Sequence, residues 1–278
     1  MAADTPIGRL LGRIEQTIGL DLCQRERELE RWLATCVGAS EPAAIAAFGE
    51  RLSRPGSPEL VELVHRFAVS HTRFFRDAGQ LAVVDSLLTA LPRPRLWVAG
   101  CATGEEAYSV ALLAQSRGRR VEIVASDINT GALNVARSGR YPREVLSSID
   151  PQYQEAFHIR DDHVTVRPSV ARVIQFVEHN LLSPPLLPAG AEYWDLILCR
   201  NVLIYFRPAL ATAILGRLGS VLAPGGYLLA GASEFHLTSP GLVPRRLAER
   251  MVLQRAPAAA PAAGPPPREP PLPLASSA

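Results

Sequence analysis

The chain has 278 residues, about 255 of them ahead of a Pro/Ala-rich tail that begins at Ala256, which is room for one large α/β domain or a small domain joined to a medium one. Hydrophobic residues make up 47% and charged residues 20%, a composition that excludes a disordered, collagen-like or disulfide-stapled chain. Lys and Arg total 29 against 27 Asp and Glu, every cation is an Arg, and a formal net charge of +2 with Glu interleaved carries no nucleic-acid signature. The cysteines Cys23, Cys36, Cys101 and Cys199 lie far apart with no CxxC pair, which fits neither a zinc site nor a disulfide framework and points to a reducing compartment. No stretch approaches the roughly 18 consecutive apolar residues of a membrane span, and the N-terminus lacks an apolar leader core. A cytoplasmic protein with no membrane insertion is expected.

From Ile7 to Val69 apolar residues recur at helical spacing, with breaks at Gly38–Pro42 and Arg54–Pro58. A small all-helical domain over residues 1–69 is therefore expected. Its charges sum to net −2, from 8 Arg against 10 Asp/Glu, so no basic face arises by sum. Arg25, Arg27 and Arg31 form either a local basic patch or a solvated helix face laced with Glu. Residues 70–94 hold the Phe74-Phe75-Arg76 segment and a helix over Gly79–Ala90. Short apolar runs then alternate with helical stretches: strands at 95–100, 121–126, 173–178, 194–199 and 226–231, helices at Glu105–Arg117, Thr130–Ser138 and Pro208–Leu222. Runs this apolar suit parallel strands buried on both faces, so an α/β doubly wound, Rossmann-like sheet is expected over residues 95–255. Residues 141–172 are long for a crossover and include the alternating stretch His163–Arg167, which reads as an inserted helix plus a small β excursion. A last strand, Met251–Arg255, precedes the tail, 256–278, which is expected to be disordered or polyproline-like.

The first strand runs into Gly100-Cys101-Ala102-Thr103-Gly104-Glu105-Glu106 and a helix, an arrangement that brings main-chain N–H groups to a bound cofactor. The spacing is G-x-x-x-G, not GxGxxG, and the two glutamates suit a cationic ligand group such as the amino group of a methionine moiety. The second strand ends in Ser126-Asp127, where an acid receives ribose hydroxyls in nucleoside sites. Asp127 could equally cap the helix beginning near Thr130.

These residues resemble the chemotaxis-receptor glutamate methyltransferases, the CheR family, which use S-adenosylmethionine. The resemblance rests on His71-Thr72-Arg73-Phe74-Phe75-Arg76, Cys101–Ser109, Ala125-Ser126-Asp127-Ile128, Asn180-Leu181-Leu182 and Cys199–Phe206, in family order. It implies a class I methyltransferase domain with a small β-subdomain insertion, behind an N-terminal helical domain. It further implies that Ser70, Thr72 and Arg76, the counterparts of an N-x-T-x-F-F-R segment, reach the cofactor, with Ser in place of the usual Asn and Arg76 meeting a carboxylate. By the same resemblance Glu105 stands near the methionine end, Asp127 takes the ribose, Asn180 and Leu181 flank the adenine, and Arg200 and Asn201 contact the cofactor. Tyr205 would present its hydroxyl near the transferred methyl, or be a buried Tyr bonded to a backbone carbonyl. Ala107 stands where the family has Pro. For the substrate carboxylate, Arg93 or Arg95 ahead of the first strand is the candidate anchor, with Arg200 competing.

The histidines, at 65, 71, 158, 163, 179 and 236, form no cluster, and no Ser/His/Asp or Cys/His set is visible. A glutamate acceptor needs none, because a carboxylate of pKa about 4.3 is ionised at neutral pH. The leading reading is thus an S-adenosylmethionine-dependent O-methyltransferase, releasing S-adenosylhomocysteine, that esterifies glutamates on chemoreceptor cytoplasmic domains. A scaffold protein that binds the cofactor with little turnover and a small-molecule methyltransferase remain alternatives; a nicotinamide-dependent oxidoreductase would want GxGxxG. Some family members hold a receptor C-terminal pentapeptide on the insertion. The short, glycine-free turn Arg160–His163 leads us to expect no such tether here, and a monomer is the default.

Overall fold

Thr5 accepts the Gly8 N–H through its hydroxyl at 3.0 Å, Pro6 opens the first turn, and Gly19 at φ 78° closes helix α1 (Pro6–Ile18). Helices α2 (Glu26–Val37), α3 (Pro42–Leu52) and α4 (Pro58–Phe67) follow in the computed structural model, which describes residues 5–37, 42–54 and 56–257. The helical breaks expected at Gly38–Pro42 and Arg54–Pro58 fall partly outside those residues, as does the tail beyond 257. The four helices share one apolar core built on Leu10, Ile14, Leu29, Trp32, Phe48, Leu63 and Phe67. Trp32 meets Phe48 and Phe67 edge-on, with centroids 5.4 and 5.7 Å away.

After α5 (Ala78–Ala90), the chain alternates as the apolar runs require: β1 (Arg95–Ala99), α6 (Glu105–Ser116), β2 (Glu122–Asp127), α7 (Thr130–Ser138). The long connection is a small antiparallel subdomain. It holds β3 (Arg140–Pro142), a 3-10 turn over Arg143–Ser148, α8 (Pro151–Gln154), β4 (Phe157–Ile159), β5 (His163–Val166) and α9 (Pro168–Ala171), with sheet order β3-β5-β4. Only β5 shows in the sequence as alternation. β3 and β4 have three residues each, too few for a period of two to register. The chain then re-enters the main sheet with β6 (Ile174–Glu178), β7 (Trp194–Cys199), α10 (Pro208–Ser220), β8 (Leu222–Ala230), β9 (Leu242–Leu247) and β10 (Arg250–Arg255).

The seven-stranded sheet runs β6-β2-β1-β7-β8-β10-β9. Its first five strands are parallel, and β10 pairs antiparallel with both β8 and β9. Two differences from expectation, beyond shifts of one residue at strand ends, have physical reasons. β8 starts at Leu222 rather than 226, because a register irregularity opposite Trp194–Leu196 absorbs the Pro224-Gly225-Gly226 turn chemistry within the strand. β9 is not among the expected strands; it carries Pro244 and two arginines and is an edge strand, where a missing N–H and charged side chains are tolerated.

Connections from β1 go to β2 and then β6 on one side, while β7 and β8 lie on the other. The chain order therefore reverses between β1 and β7, and doubly wound sheets open a crevice at the carboxyl ends of the strands at that point. Residues 70–77 cross this edge and dock on the subdomain. Phe74 is buried edge-on against Tyr141 and Phe157, at 5.0 and 5.5 Å, while Phe75 stacks on Tyr153 at 4.7 Å. Among the described residues no helix is long and apolar enough to cross a membrane. Phe74→Ala removes the ring that joins linker to subdomain, and urea unfolding should show a loss of about 3–5 kcal/mol.

Candidate functional site

The turn after β1 is shaped by backbone that few residues adopt: φ is 77° at Gly100, 47° at Ala102 and 93° at Gly104. A Cβ on Gly100 would lie 2.5 Å from a Val202 methyl, so the β1 and β7 loops can touch only with glycine there. The Gly100 and Cys101 N–H groups donate to Ser126 O at 2.7 and 2.9 Å. The Asp127 carboxylate spans the gap, accepting the Ala102 N–H at 2.8 Å on one oxygen and the Asn129 N–H at 2.8 Å on the other. Burial pushes the Asp127 pKa up, and these backbone donors pull against it. Capping of α7 falls to Asn129, whose side chain accepts the Ala132 N–H at 3.1 Å, so Asp127 keeps its orientation toward the crevice.

Opposite Asp127, Arg200 leaves β7 with 7% exposure and all three nitrogens engaged. Nη1 pairs with Glu106, Nε donates to Gln80 Oε1 at 2.5 Å, and Nη2 donates to Arg76 O at 2.8 Å. Asn201 follows at φ 58°, and its N–H donates to Glu234 Oε2 at 3.0 Å.

These elements enclose about 930 Å³ of space, its open mouth included, and the N-terminal helices cover one side. Ile18, Leu20, Ala68 and Val69 contribute the apolar cover, and Ile128, Leu181, Val202 and Phe206 face the same cleft. The cover is tied down by polar contacts: Asn180 Nδ2 donates to Thr17 O at 2.8 Å, the Asp21 N–H to Tyr205 O at 3.2 Å, and the Gly131 N–H to His65 Nε2 at 2.9 Å. Arg207 bridges Glu15 and Asp21 at 3.1 and 3.4 Å.

Of the residues singled out in the sequence, Thr72, Arg76, Asp127, Asn180, Leu181, Arg200, Asn201 and Tyr205 line the cleft. Ser70 sits beside it, its hydroxyl accepting from Asn129 Nδ2 at 3.2 Å. Glu105 does not line it. That side chain is 8% exposed and accepts the Thr103 hydroxyl at 2.6 Å, and burial raises its pKa. Glu106 takes the place expected of Glu105, since successive residues on a helix point about 100° apart. Arg93 is a second correction. It stands ahead of β1 at the amino edge of the sheet, exposed and paired with Glu122 at 2.5 Å, with five strand residues or roughly 16 Å between it and the crevice. Arg95 is likewise spent, its N–H and Nε on Asp195 Oδ2 at 2.8 and 3.5 Å. Asn180 also differs from expectation: its carboxamide serves Thr17 O and the Leu182 N–H, the latter at 2.9 Å. Sequence reasoning offered Glu106 only as one of two glutamates suited to a cationic group, and it missed His179, Glu234 and the apolar cover. The adjacent Glu105-Glu106 pair was the signal for Glu106, but a lone acid after β8 gave none for Glu234.

The donor set fits S-adenosylmethionine. Asp127 offers a fixed carboxylate for ribose hydroxyls, Glu106 an anion for the amino group, Arg76 a cation for the carboxylate, and the apolar cover a surface for the base. The Arg76 guanidinium makes one hydrogen bond, to His71 O at 3.2 Å, and no ion pair among the described residues. His179 Nε2 is the one buried side-chain nitrogen or oxygen among the described residues that lacks a hydrogen-bond partner, in a ring that burial keeps neutral. Cys101 and Cys199 are buried with pKa values driven well up, so neither supplies a thiolate.

Fold and site together define an S-adenosylmethionine-dependent class I methyltransferase with a helical N-terminal region and an inserted β subdomain. Residues 70–243 match the family described as CheR methyltransferase, SAM binding domain, and the chain belongs to that family. The chemotaxis protein methyltransferase of Escherichia coli (strain K12) is 32% identical over 246 residues, 84% of this chain and 85% of that protein. The chemotaxis protein methyltransferase of Borreliella burgdorferi is 27% identical over 249 residues, 82% of this chain and 87% of that protein. An uncharacterized 104.1 kDa protein of Rhodobacter capsulatus is 32% identical over 244 residues, which is 81% of this chain but 25% of that protein's length.

Paired variants separate the adjacent glutamates. Glu106→Gln should weaken S-adenosylhomocysteine binding about tenfold by calorimetry, the loss of one charge-assisted contact, whereas Glu105→Gln should leave it within about twofold. Glu105 instead acts on stability. Its folded pKa lies above the unfolded value of about 4.3, so its contribution is full below that pH and is lost as pH rises through the folded value. Denaturant titrations should therefore show Glu105→Gln gaining on the parent protein from pH 4 to pH 7.

Proposed function

We propose that this methyltransferase esterifies glutamate side chains in the cytoplasmic region of chemoreceptors, working as a cytoplasmic monomer. The observation that carries the reading is the cleft itself, which brings Asp127, Glu106, the Arg76 guanidinium and Tyr205 together beneath the helical cover. When bound, S-adenosylmethionine supplies a methyl group on a sulfonium sulfur, ready for a nucleophile. What remains for the protein is binding, alignment and exclusion of water.

A glutamate with a pKa of about 4.3 is already anionic at neutral pH, so this acceptor needs no general base from the cleft. Asp127 and Glu106 orient the cofactor from the β2 and α6 sides. Arg76 is the cleft arginine able to take a carboxylate, because Arg200 has no nitrogen left uncommitted. The Tyr205 hydroxyl lines the cleft and makes no hydrogen bond among the described residues, and in this reading it donates to the acceptor carboxylate and holds it in line. Names of the relatives support the receptor assignment: the Escherichia coli and Borreliella burgdorferi proteins are chemotaxis protein methyltransferases.

Calorimetric titration with S-adenosylhomocysteine tests the cofactor half of this reading. The parent protein should bind and Asp127→Ala should lose at least about tenfold in affinity; a folded parent protein that does not bind would overturn it. Transfer of labelled methyl onto glutamates of a chemoreceptor cytoplasmic fragment tests the acceptor half.

We further infer that no receptor pentapeptide tether is used. The β4–β5 connection closes tightly, with the Arg160 N–H on His163 O at 2.8 Å, and it contains no glycine that would let a peptide backbone approach. Titration of a receptor C-terminal pentapeptide should give no heat at micromolar concentrations, and a measurable micromolar Kd would refute the inference.

A further inference from the structure

Glu234 is 1% exposed, lies outside the lining of the cleft, and ends the short 3-10 turn Ala232–Glu234 that follows β8. Its carboxylate reaches sideways to the loop of the neighbouring strand β7. Oε2 accepts the Asn201 N–H at 3.0 Å and also the Gly231 N–H, while Oε1 accepts the Ile204 N–H at 3.2 Å. We propose that Glu234 is a positioning residue for methyl transfer, holding the Asn201–Tyr205 loop so that Tyr205 faces the reacting atoms. The inference rests on the proposed function, which makes Tyr205 the residue at the acceptor.

The loop needs such a tether. Asn201 occupies left-handed backbone at φ 58°, a conformation that persists only where the surroundings enforce it. Leu203 seats the turn in the apolar core at 1% exposure, but the Ile204 side chain beside it is exposed, and the carboxylate holds the Ile204 N–H. The remaining turn bonds are local: the Tyr205 N–H donates to Val202 O and the Phe206 N–H to Leu203 O, both at 3.2 Å. Gly231 makes the approach possible, because a Cβ there would lie 2.8 Å from the Asn201 nitrogen and 2.7 Å from Glu234 Oε2. The two oxygens divide the work. One fixes the end of the loop that meets the cofactor, the other fixes the residue before Tyr205.

Glu234→Gln uncouples these roles. The amide oxygen can still take the Asn201 and Gly231 N–H groups, but the amide nitrogen then faces the Ile204 N–H, donor against donor. Binding of S-adenosylhomocysteine should stay within about threefold of the parent protein, while kcat for labelled methyl transfer to a chemoreceptor cytoplasmic fragment falls roughly ten- to hundredfold with KM for S-adenosylmethionine little changed. Amide exchange at Ile204 should accelerate while Asn201 stays protected. A kcat equal to that of the parent protein, or a loss of cofactor affinity in step with kcat, would overturn the proposal. Should the variant not fold, amide exchange in the parent protein decides: a protected Ile204 amide supports the tether, and one exchanging at the open-chain rate removes it. A parent protein that binds no S-adenosylhomocysteine brings down the proposed function and this inference together, whereas one that binds and transfers while Glu234→Gln keeps its kcat brings down this inference alone.

Discussion

Where parallel strands end, main-chain N–H groups leave the ladder without partners, and in this molecule carboxylates borrowed from neighbouring strands accept them. Asp127 at the end of β2 takes the Ala102 N–H of the β1 turn, and Glu234 after β8 takes the Asn201 and Ile204 N–H groups of the β7 loop. An unmet N–H in such a place costs about 1–3 kcal/mol, so each bridge adds a polar constraint to a loop whose apolar residues, Cys101 and Leu203, are seated in the core. The crevice at the sheet's reversal point is held open by this bracing. Its walls are loops, yet their backbones have little freedom.

Arg200 applies the same economy to charge. A guanidinium at 7% exposure would be strongly unfavourable alone, and its three nitrogens are matched to a carboxylate, a carboxamide and a carbonyl. Those partners come from α6, α5 and the 70–77 segment, so one side chain ties three separate stretches of chain to the end of β7. Gln80 extends the network by donating to Ala230 O at 2.6 Å, which links it to the end of β8. A consequence is that Arg200 is occupied with structure, which leaves Arg76 the less committed cleft cation, its guanidinium bonding only a backbone carbonyl among the described residues.

The parallel half of the sheet was legible because strands covered on both faces must be apolar throughout, and runs such as Trp194–Cys199 have no other simple explanation. The resemblance then supplied most of the cleft residues, since contiguous motifs at strand ends arrive at one edge by topology alone. What the sequence concealed follows from orientation and from distance. Glu105 and Glu106 are adjacent, and only the packing of α6 says which one turns inward. Arg93 is close in sequence to the first strand but at the wrong end of it, so nearness along the chain misled. Glu234 belongs to no motif and acts across strands, and the strands β3, β4 and β9 are short or lie at an edge, where alternation carries little information.

The cover supplied by the N-terminal helices explains why they belong to the site rather than beside it. Ile18, Leu20 and Ala68 lie over a cleft whose other walls are strand-end loops, and without them Asp127, Glu106 and Arg76 would face bulk water. Charge recognition in water is weak, because a unit pair at 4 Å is worth about 1 kcal/mol there and several times more at a partly excluded surface. The latches that seat the cover, Asn180 on Thr17 O and Arg207 on Glu15 and Asp21, arise from residues immediately following β6 and the Tyr205 loop. The same stretches of chain thus present one side to the cofactor cleft and the other to the helices above it. Seating the cover and ordering the strand-end loops therefore depend on the same contacts, the Asp21 N–H on Tyr205 O among them.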